Sequence, residues 1–273
     1  VVKRSRDVSA KLQGGVGHLL KKNKVTVIDG VAKLDGPGKL IVEKAAKQII
    51  VKGKHIILAT GARPLQLKGL EADGELIWTY KEAMVPKSFP KSLLVVGAGS
   101  IGLEFASFYN ELGCEVTVVE ALPMLLPTAD AEVSALLGKD FNKQGIKTRT
   151  STFLRGLEKG ENSVTATLEK NGKKEQVIVD RVLLAMGVVG NVENLGLETT
   201  KVKVEKNIIQ VNQWLETDEK GLYAIGDVIG PPCLAHKASH EGVICVEKIA
   251  GLKVHPLDLT KMPYCTYAHP QVA

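Results

Sequence analysis

The stretch that decides the fold is Val95-Val96-Gly97-Ala98-Gly99-Ser100-Ile101-Gly102-Leu103-Glu104, with its glycines in Gly-x-Gly-x-x-Gly spacing. It follows an apolar run, residues 92–96, that predicts a strand, and it opens residues 101–112, where apolar residues recur at helical spacing. A second predicted strand, residues 115–119, ends beside the acidic Glu120. Strand, glycine turn, helix and strand form the βαβ unit that binds dinucleotides.

Each glycine of this stretch has a separate physical task. Gly97 permits the tight turn out of the strand, Gly99 leaves room for a pyrophosphate, and Gly102 lets the helix pack closely on the sheet. The N-terminus of the helix offers N–H groups and a positive dipole end to phosphate oxygens.

Glu120 predicts NAD rather than NADP, because a carboxylate accepts a hydrogen bond from the ribose 2′-OH and repels a 2′-phosphate. Residues 121–126 contain no Arg or Lys that could neutralise such a phosphate.

The segment before this unit predicts a helix and a β-meander. Residues 5–22 have apolar positions at helical spacing, although three glycines weaken the pattern, and residues 25–28, 39–42, 48–51 and 55–59 predict strands. Pro86 and Pro90 predict a linker.

The segment after the unit continues the alternation. We expect a helix over 129–143 with Asp130 as N-cap, strands over 147–150, 163–169, 176–185 and 222–225, and a helix over 236–250. In the last helix Ala238, Val243, Val246 and Ile249 form the predicted apolar face, which leaves Glu241, Glu247 and Lys248 for solvent or partners. The fold class is therefore α/β, with a Rossmann-like domain.

Composition excludes several functional classes. The 273 residues are 44% hydrophobic and 24% charged, and no apolar run approaches the ~20 residues that span a bilayer. The net charge of +6 comes from scattered lysines without interleaved aromatics, which favours a solvated surface over nucleic-acid binding.

The four cysteines, Cys114, Cys233, Cys245 and Cys265, match no zinc or Cys-x-x-Cys pattern and are expected to be buried free thiols. No metal site is predicted, and an intracellular protein is expected.

Two further segments place polar groups at strand ends. Residues 55–64 form a predicted buried strand that leads into a Thr60-Gly61 turn, and residues 221–227 form a strand that ends at Asp227. Ligands of α/β sheets bind at the carboxyl ends of strands, so Asp227 could accept hydrogen bonds from cofactor hydroxyls; it could equally cap a turn.

Taken in order, these segments resemble the pyridine nucleotide-disulfide oxidoreductases, which use FAD and a nicotinamide cofactor. Residues 221–228, Leu234-Ala235-His236-Lys237-Ala238 and Tyr267-Ala268-His269-Pro270 resemble the dihydrolipoamide dehydrogenase family in particular. The resemblance covers essentially the whole chain and implies a central fragment of such an enzyme. It implies a partial FAD domain over 1–85, an NAD domain over 86–213, a returning FAD segment over 214–254 and the start of the interface domain over 255–273.

The resemblance also implies site residues. The expected NAD contacts are Gly97, Ala98, Gly99, Ser100, Ile101, Gly102, Leu103, Glu104, Glu120, Leu154 and Gly187. The expected FAD contacts are Gly30, Ala59, Thr60, Gly61, Asp227, Cys233, Leu234, Ala235 and His236. Glu104 would be the catalytic residue beside the flavin–nicotinamide stack, where the family pairs it with a lysine absent from this chain. His236 is expected to contribute backbone rather than acid–base chemistry.

Departures from the family pattern limit what the chain is expected to do. The FAD glycine fingerprint, the Cys-x4-Cys redox disulfide and the His-Glu base pair are missing, and residues 187–191 lack the usual Gly-Arg-x-Pro. The intact enzyme would pass electrons from dihydrolipoyl groups through a disulfide and FAD to NAD. Its implied partners are the dihydrolipoyl domain of a 2-oxo-acid dehydrogenase complex and a second copy of itself, in bacterial cytoplasm or mitochondrial matrix. Other flavin disulfide reductases, an NADH oxidase and a non-catalytic nucleotide-binding module remain alternatives.

Overall fold

The glycine-rich stretch lies at one end of a five-stranded parallel sheet in the computed structural model, which describes all 273 residues. The chain forms two units, one of Val1–Arg63 with Val189–Met262 (unit 1) and one of Pro64–Val188 with Pro263–Ala273 (unit 2). No helix is both long enough and apolar enough to cross a membrane.

The secondary structure comprises seventeen strands and five α-helices. The strands are β1 Val31–Leu34, β2 Lys39–Lys44, β3 Lys47–Lys52, β4 Ile56–Leu58, β5 Ala62–Pro64, β6 Ile77–Trp78, β7 Ser92–Val96, β8 Glu115–Val119, β9 Lys147–Arg149, β10 Phe153–Lys159, β11 Val164–Lys170, β12 Lys173–Val179, β13 Arg181–Leu184, β14 Val188–Gly190, β15 Val204–Glu205, β16 Ile208–Ile209 and β17 Leu222–Ala224. The helices are α1 Val2–Lys22, α2 Tyr80–Met84, α3 Ser100–Glu111, α4 Ala131–Lys143 and α5 Ala235–Ile249, with short 3-10 turns at Leu197–Thr199, Gly226–Ile229 and Leu259–Lys261.

Unit 2 is built on a sheet with the strand order β6-β13-β7-β8-β9, in which every pairing is parallel. Successive side chains of β7 point to opposite faces of the sheet. Because residues 93–96 are all apolar, both faces of this strand are apolar. Leu93 and Val95 pack with buried residues of α3 and α4, whereas Leu94 and Val96 pack with the antiparallel meander β10-β11-β12. Full burial of each such side chain contributes about 1.5–3 kcal/mol. The predicted α/β fold is confirmed, as is the N-cap Asp130, which accepts a hydrogen bond from the Glu132 N–H.

Unit 1 consists of smaller elements. Strands β1, β2 and β3 form an antiparallel meander, in which β2 and β3 match predicted strands and β1 was not predicted. Strand β4, which was predicted with the meander, pairs instead in parallel with β17. Leu34, Ile56, Leu222 and Ala224 contribute to its main buried cluster. Helix α1 has no buried residue.

Two predicted elements differ from the structure, and one strand of the second meander was not predicted. Residues 25–28 follow α1 as exposed, irregular backbone rather than a strand. The single strand predicted over 176–185 is two strands, β12 and β13, because Asp180 between them binds elsewhere: its carboxylate accepts from the Lys91 N–H (2.7 Å) and its N–H donates to Ser92 Oγ (2.9 Å). Strand β10 was not predicted as a strand of its own, and a register shift between Leu154 and Gly156 interrupts its alternation.

The units do not follow the predicted domain boundaries. Residues 64–85 belong to unit 2 rather than to the first domain, because β6 pairs with β13 and Trp78 packs in the helix-side core. Residues 189–213 belong to unit 1, where Leu197 and Ile209 are buried. The segment Pro263–Ala273 packs within unit 2 through Ala268 and Val272. Which cofactor each range serves stays a prediction.

The predicted faces of the last helix were wrong at Glu241, Val243 and Val246, whereas Glu247 and Lys248 are exposed as predicted. Glu241 is buried, while Val243 and Val246 are each 55% exposed. Glu241 forms an ion pair with Lys237 (2.8 Å), and both side chains are almost fully buried. A buried charge is tolerated when it is paired and hydrogen-bonded, and this pair satisfies that condition.

Candidate functional site

The turn after β7 requires glycine at two positions. Gly97 has φ +103, and a Cβ there would collide with the Ala185 carbonyl group. A Cβ at Gly102 would overlap the Gly97 carbonyl oxygen and press on the Val95 side chain at 3.2 Å. The tight turn and the close helix–strand packing predicted for these glycines are both present.

Gly99 differs from its two neighbours. It is the N-cap of α3 with φ −77, and no atom lies within 4 Å of the position that a Cβ would occupy. The first helical N–H groups have no acceptor within the helix, and neither a cap side chain nor an acidic residue in the first turn supplies one. This open, positively polarised helix end is suited to an anionic group such as a pyrophosphate.

Glu120 joins the end of β8 to this turn. Its Oε2 accepts the Ala98 N–H at 2.7 Å and its Oε1 accepts the Leu122 N–H at 2.8 Å. A carboxylate has about four acceptor positions, so two remain for a ligand hydroxyl. The structure therefore brings Glu120 to the glycine turn and adds a role that the sequence did not indicate, that of restraining the turn.

Arg149 is a cation near Glu120 that the sequence analysis missed. Its carbonyl accepts the Glu120 N–H at 2.9 Å, because β9 runs beside β8. Its guanidinium forms an ion pair with Glu175 of β12. No local pattern signals this proximity, since it arises from strand pairing across 29 residues of sequence.

The other predicted NAD contacts lie elsewhere in unit 2. Glu104, on α3, accepts the Tyr267 N–H at 2.8 Å. Leu154, on β10, packs against the buried cluster between sheet and meander. Gly187 has φ +114, and its carbonyl accepts the Leu65 N–H at 3.0 Å. Leu103 is fully buried and serves the core.

In unit 1 the turn after β4 is bound to a distant segment. Thr60 Oγ1 donates to the Asn191 carbonyl (2.8 Å), and Asn191 Nδ2 donates to the Thr60 carbonyl (2.9 Å). The Asn191 N–H donates to the Gly61 carbonyl at 2.9 Å. The Thr60 hydroxyl, predicted to touch FAD, therefore has a structural partner within the protein.

Arg63 reinforces this contact and was also missed. It makes two hydrogen bonds with the Glu193 carboxylate, at 2.8 and 2.6 Å, and donates to Asn191 Oδ1 at 3.1 Å. Hydrogen bonding to Arg63 lowers the pKa of Glu193. The Arg-Pro after the Thr-Gly turn was visible in the sequence, but its partner, 130 residues away, was not.

The remaining predicted FAD contacts lie on four short segments of unit 1. Ala59 precedes the turn, and Gly30 has φ +154 with a Cβ position 2.7 Å from the Glu43 carbonyl oxygen, so glycine is required there. Asp227 lies in the Gly226–Ile229 turn, directly after Gly226, whose N–H is bound by Glu241 Oε2 at 2.7 Å. Helix α5 begins at Ala235 with Leu234 as N-cap, so Cys233 and His236 flank its N-terminus as predicted.

The cysteines correct one expectation. All four are free, but only Cys114 and Cys245 are buried, whereas Cys233 is exposed and Cys265 is partly exposed. Burial raises the pKa of the Cys114 thiol to about 12. Cys114 therefore stays protonated at neutral pH and is no nucleophile.

The sequence matches the family described as "Pyridine nucleotide-disulphide oxidoreductase" over residues 2–242. This chain therefore belongs to that family. Among curated proteins it is 52% identical over 290 residues to a dihydrolipoyl dehydrogenase of Rhizobium etli, covering 100% of this chain and 60% of the relative. It is 40% identical over 268 residues to the mitochondrial dihydrolipoyl dehydrogenase of Pisum sativum, covering 97% of this chain and 53% of that protein. The chain thus spans about 60% or less of the length of these relatives.

Solved structures agree with the fold. The crystal structure of LpdA from Mycobacterium tuberculosis matches with a TM-score of 0.92 at 27% identity, over 99% of this chain and 60% of that one. The HOCl-induced flavoprotein disulfide reductase RclA from Escherichia coli matches with a TM-score of 0.89 at 25% identity, over 99% of this chain and 61% of that one. The predicted resemblance to dihydrolipoamide dehydrogenases is confirmed as a similarity of sequence and fold.

Proposed function

We propose that this chain binds NAD(H) at the turn and helix end formed by residues 97–102, with the pyrophosphate at Gly99 and the ribose 2′-OH at Glu120. The observation that carries the proposal is the open space at Gly99, beside two glycines that the protein's own packing requires. Glu120 supports the proposal, because its carboxylate is held at the same turn and still has acceptor positions free for a hydroxyl group of the ligand.

We further propose that the whole protein is a dihydrolipoyl dehydrogenase, which oxidises dihydrolipoyl groups of a 2-oxo-acid dehydrogenase complex as a homodimer, in bacterial cytoplasm or mitochondrial matrix. Bound FAD would supply electron transfer between a disulfide and the nicotinamide. In this chain, Gly30, the 59–61 turn, Asp227 and residues 233–236 would contribute to holding it. Glu104 would lie beside the nicotinamide.

The chain alone is expected to bind NAD(H) without turning over dihydrolipoamide. The four cysteines include no Cys-x4-Cys pair, and the sequence has one Gly-x-Gly-x-x-Gly fingerprint rather than two. A coupled assay of NADH formation with dihydrolipoamide should therefore show no turnover, and an absorbance spectrum should show little bound flavin. A stoichiometric, active flavoprotein would contradict this expectation.

Calorimetric titration with NADH and NADPH tests the nucleotide site. The wild type should prefer NADH, because Glu120 would face the ribose 2′-position of the bound nucleotide while the Arg149 guanidinium is paired with Glu175. Glu120→Ala should weaken NADH binding and narrow the preference, since it removes both a ribose acceptor and the repulsion of a 2′-phosphate. Arg155→Ala is the control, because it removes an exposed cation of the meander that is paired with Glu169. It should change neither the NADH affinity nor the preference for NADH over NADPH. A wild type that prefers NADPH would overturn the proposal.

A further inference from the structure

The segment Pro263–Ala273, called here the tail segment, lies along α3 and is hydrogen-bonded to three of its side chains. Glu104 Oε1 accepts the Tyr267 N–H at 2.8 Å, and Ser107 Oγ accepts the His269 N–H at 2.9 Å. Ser100 supplies the third contact. These side chains stand at positions i, i+4 and i+7, so they form one stripe along the helix.

The Ser100 contact has two partners in the tail segment. The Ser100 and Tyr264 hydroxyl groups share a hydrogen bond, and Ser100 Oγ lies 2.8 Å from Thr266 Oγ1. Thr266 is fully buried, and its N–H and carbonyl groups are bonded to Val272 at 2.8 and 3.1 Å. Thr266 is therefore itself held in place, and Tyr264 packs partly buried against the core of unit 2.

Ser100 is also the first residue of α3, directly after the open position at Gly99. Its backbone N–H is one of the groups that a pyrophosphate would meet at this helix end. Its side chain, however, is directed to the tail segment. The same residue thus connects the anion-binding turn to a segment more than 160 positions away.

We propose that Tyr264 and Thr266 are positioning residues that act through Ser100 to hold the first turn of α3 in the geometry that binds a dinucleotide pyrophosphate. This inference rests on the proposed function, because it concerns the same site. It assigns to the tail segment a part in nucleotide affinity, although the segment contributes no residue to the glycine fingerprint.

The test compares ligands with and without a pyrophosphate. NADH, ADP-ribose and adenosine are titrated into the wild type, Tyr264→Phe, Ser100→Ala and the double variant, with thermal melting recorded for each. Loss of one hydrogen bond should weaken NADH and ADP-ribose by about 2- to 10-fold and leave adenosine unchanged. In the Ser100→Ala background, Tyr264→Phe should have no further effect, because its path to the site is already removed.

Tyr267→Phe is the matched control, since it removes a hydroxyl from the same segment where the side chain is 71% exposed and leaves the backbone N–H intact. Equal weakening of all three ligands, or additive effects of Ser100→Ala and Tyr264→Phe, would overturn the inference and leave the proposed function standing. Failure of the wild type to bind NADH and ADP-ribose would overturn both. If Tyr264→Phe does not fold, Thr266→Val takes its place in the same cycle.

Discussion

Unit 2 and unit 1 organise their interiors in different ways. Unit 2 covers both faces of one five-stranded sheet with large uncharged clusters, and its largest buried side chains include Tyr109, Phe141 and Leu93. Unit 1 has two- and three-stranded sheets, a smaller main cluster and a 21-residue helix with no buried residue. It also places a charged pair, Lys237 and Glu241, in its interior.

The candidate sites differ in the same way. In unit 2 the proposed nucleotide site is formed by the consecutive residues 97–102 together with Glu120, and its central position, Gly99, faces open space. In unit 1 the predicted FAD contacts come from segments far apart in sequence, and several of their polar groups are bonded to other parts of the unit, as Thr60 is to Asn191. The difference indicates that a local motif can present a nearly complete site, whereas a site assembled from distant segments depends on how each one is held.

The largest effect is expected from breaking the buried pair in unit 1. Lys237→Met should lower the free energy of unfolding of that unit by about 3–5 kcal/mol, because it leaves the Glu241 carboxylate buried without its cation. The measurement is urea unfolding of two single-tryptophan proteins, in each of which the other tryptophan is replaced by Phe. Trp214 fluorescence then reports on unit 1, and Trp78 fluorescence reports on unit 2. The Trp78 transition should not move.

Two variants sharpen this prediction. Lys237→Met with Glu241→Gln should recover most of the loss, since the amide oxygen can still accept the Gly226 N–H without a buried charge. Lys44→Met breaks an exposed pair with Asp29 in the same unit and should have little effect. Equal effects of Lys237→Met on both tryptophan transitions would show that the two units do not unfold separately.

The same contrast explains what the sequence could predict. Strands β7 and β8 were predicted to the residue and α3 to within one, because their apolar pattern, glycine turn and length all favour one structure. The approach of Glu120 to the glycine turn also follows from the local motif, although its hydrogen bond with the Ala98 N–H was not predicted. Periodicity alone did not predict the burial of Glu241, because a glutamate on an amphipathic helix normally faces solvent. Lys237 lies one turn away on the same helix, but the Gly226 N–H that Glu241 also binds lies on another segment. Arg63, Arg149 and the tail segment were missed for the same reason: tertiary contacts, which carry no sequence period, place them at their sites.

The second effect concerns ligand binding and contrasts two glycines that both have open space around the Cβ position. Gly99→Val in unit 2 should weaken NADH binding by roughly 100-fold, because the valine side chain would occupy space that the ligand needs. This factor lies near the upper end of the usual cost of overpacking. Folding should be retained, because Gly99 has φ −77, which valine can adopt. Gly14→Val, in α1 of unit 1, should leave NADH affinity unchanged. Titration and thermal melting of both variants decide the matter, and unchanged affinity in a folded Gly99→Val protein would make the glycine turn purely structural.

The smallest effect is the stabilisation that the ligand itself provides, and it tests whether NADH binding belongs to unit 2 alone. A ligand that binds only the folded state stabilises it by RT ln(1 + [L]/Kd), which is about 1.4 kcal/mol at ten times the Kd. Because the fingerprint and Glu120 both lie in unit 2, NADH should shift the urea transition reported by Trp78, which is buried in that unit's core. The transition reported by Trp214, in unit 1, should stay in place. ADP-ribose should act like NADH if the pyrophosphate and ribose dominate binding, and neither ligand should shift the Gly99→Val protein. Where the Lys237→Met comparison has shown that the two transitions are separate, a shift of the Trp214 transition as large as that of Trp78 would mean that unit 1 contributes directly to the NADH site. The assignment of the site to the 97–102 turn and Glu120 would then be incomplete.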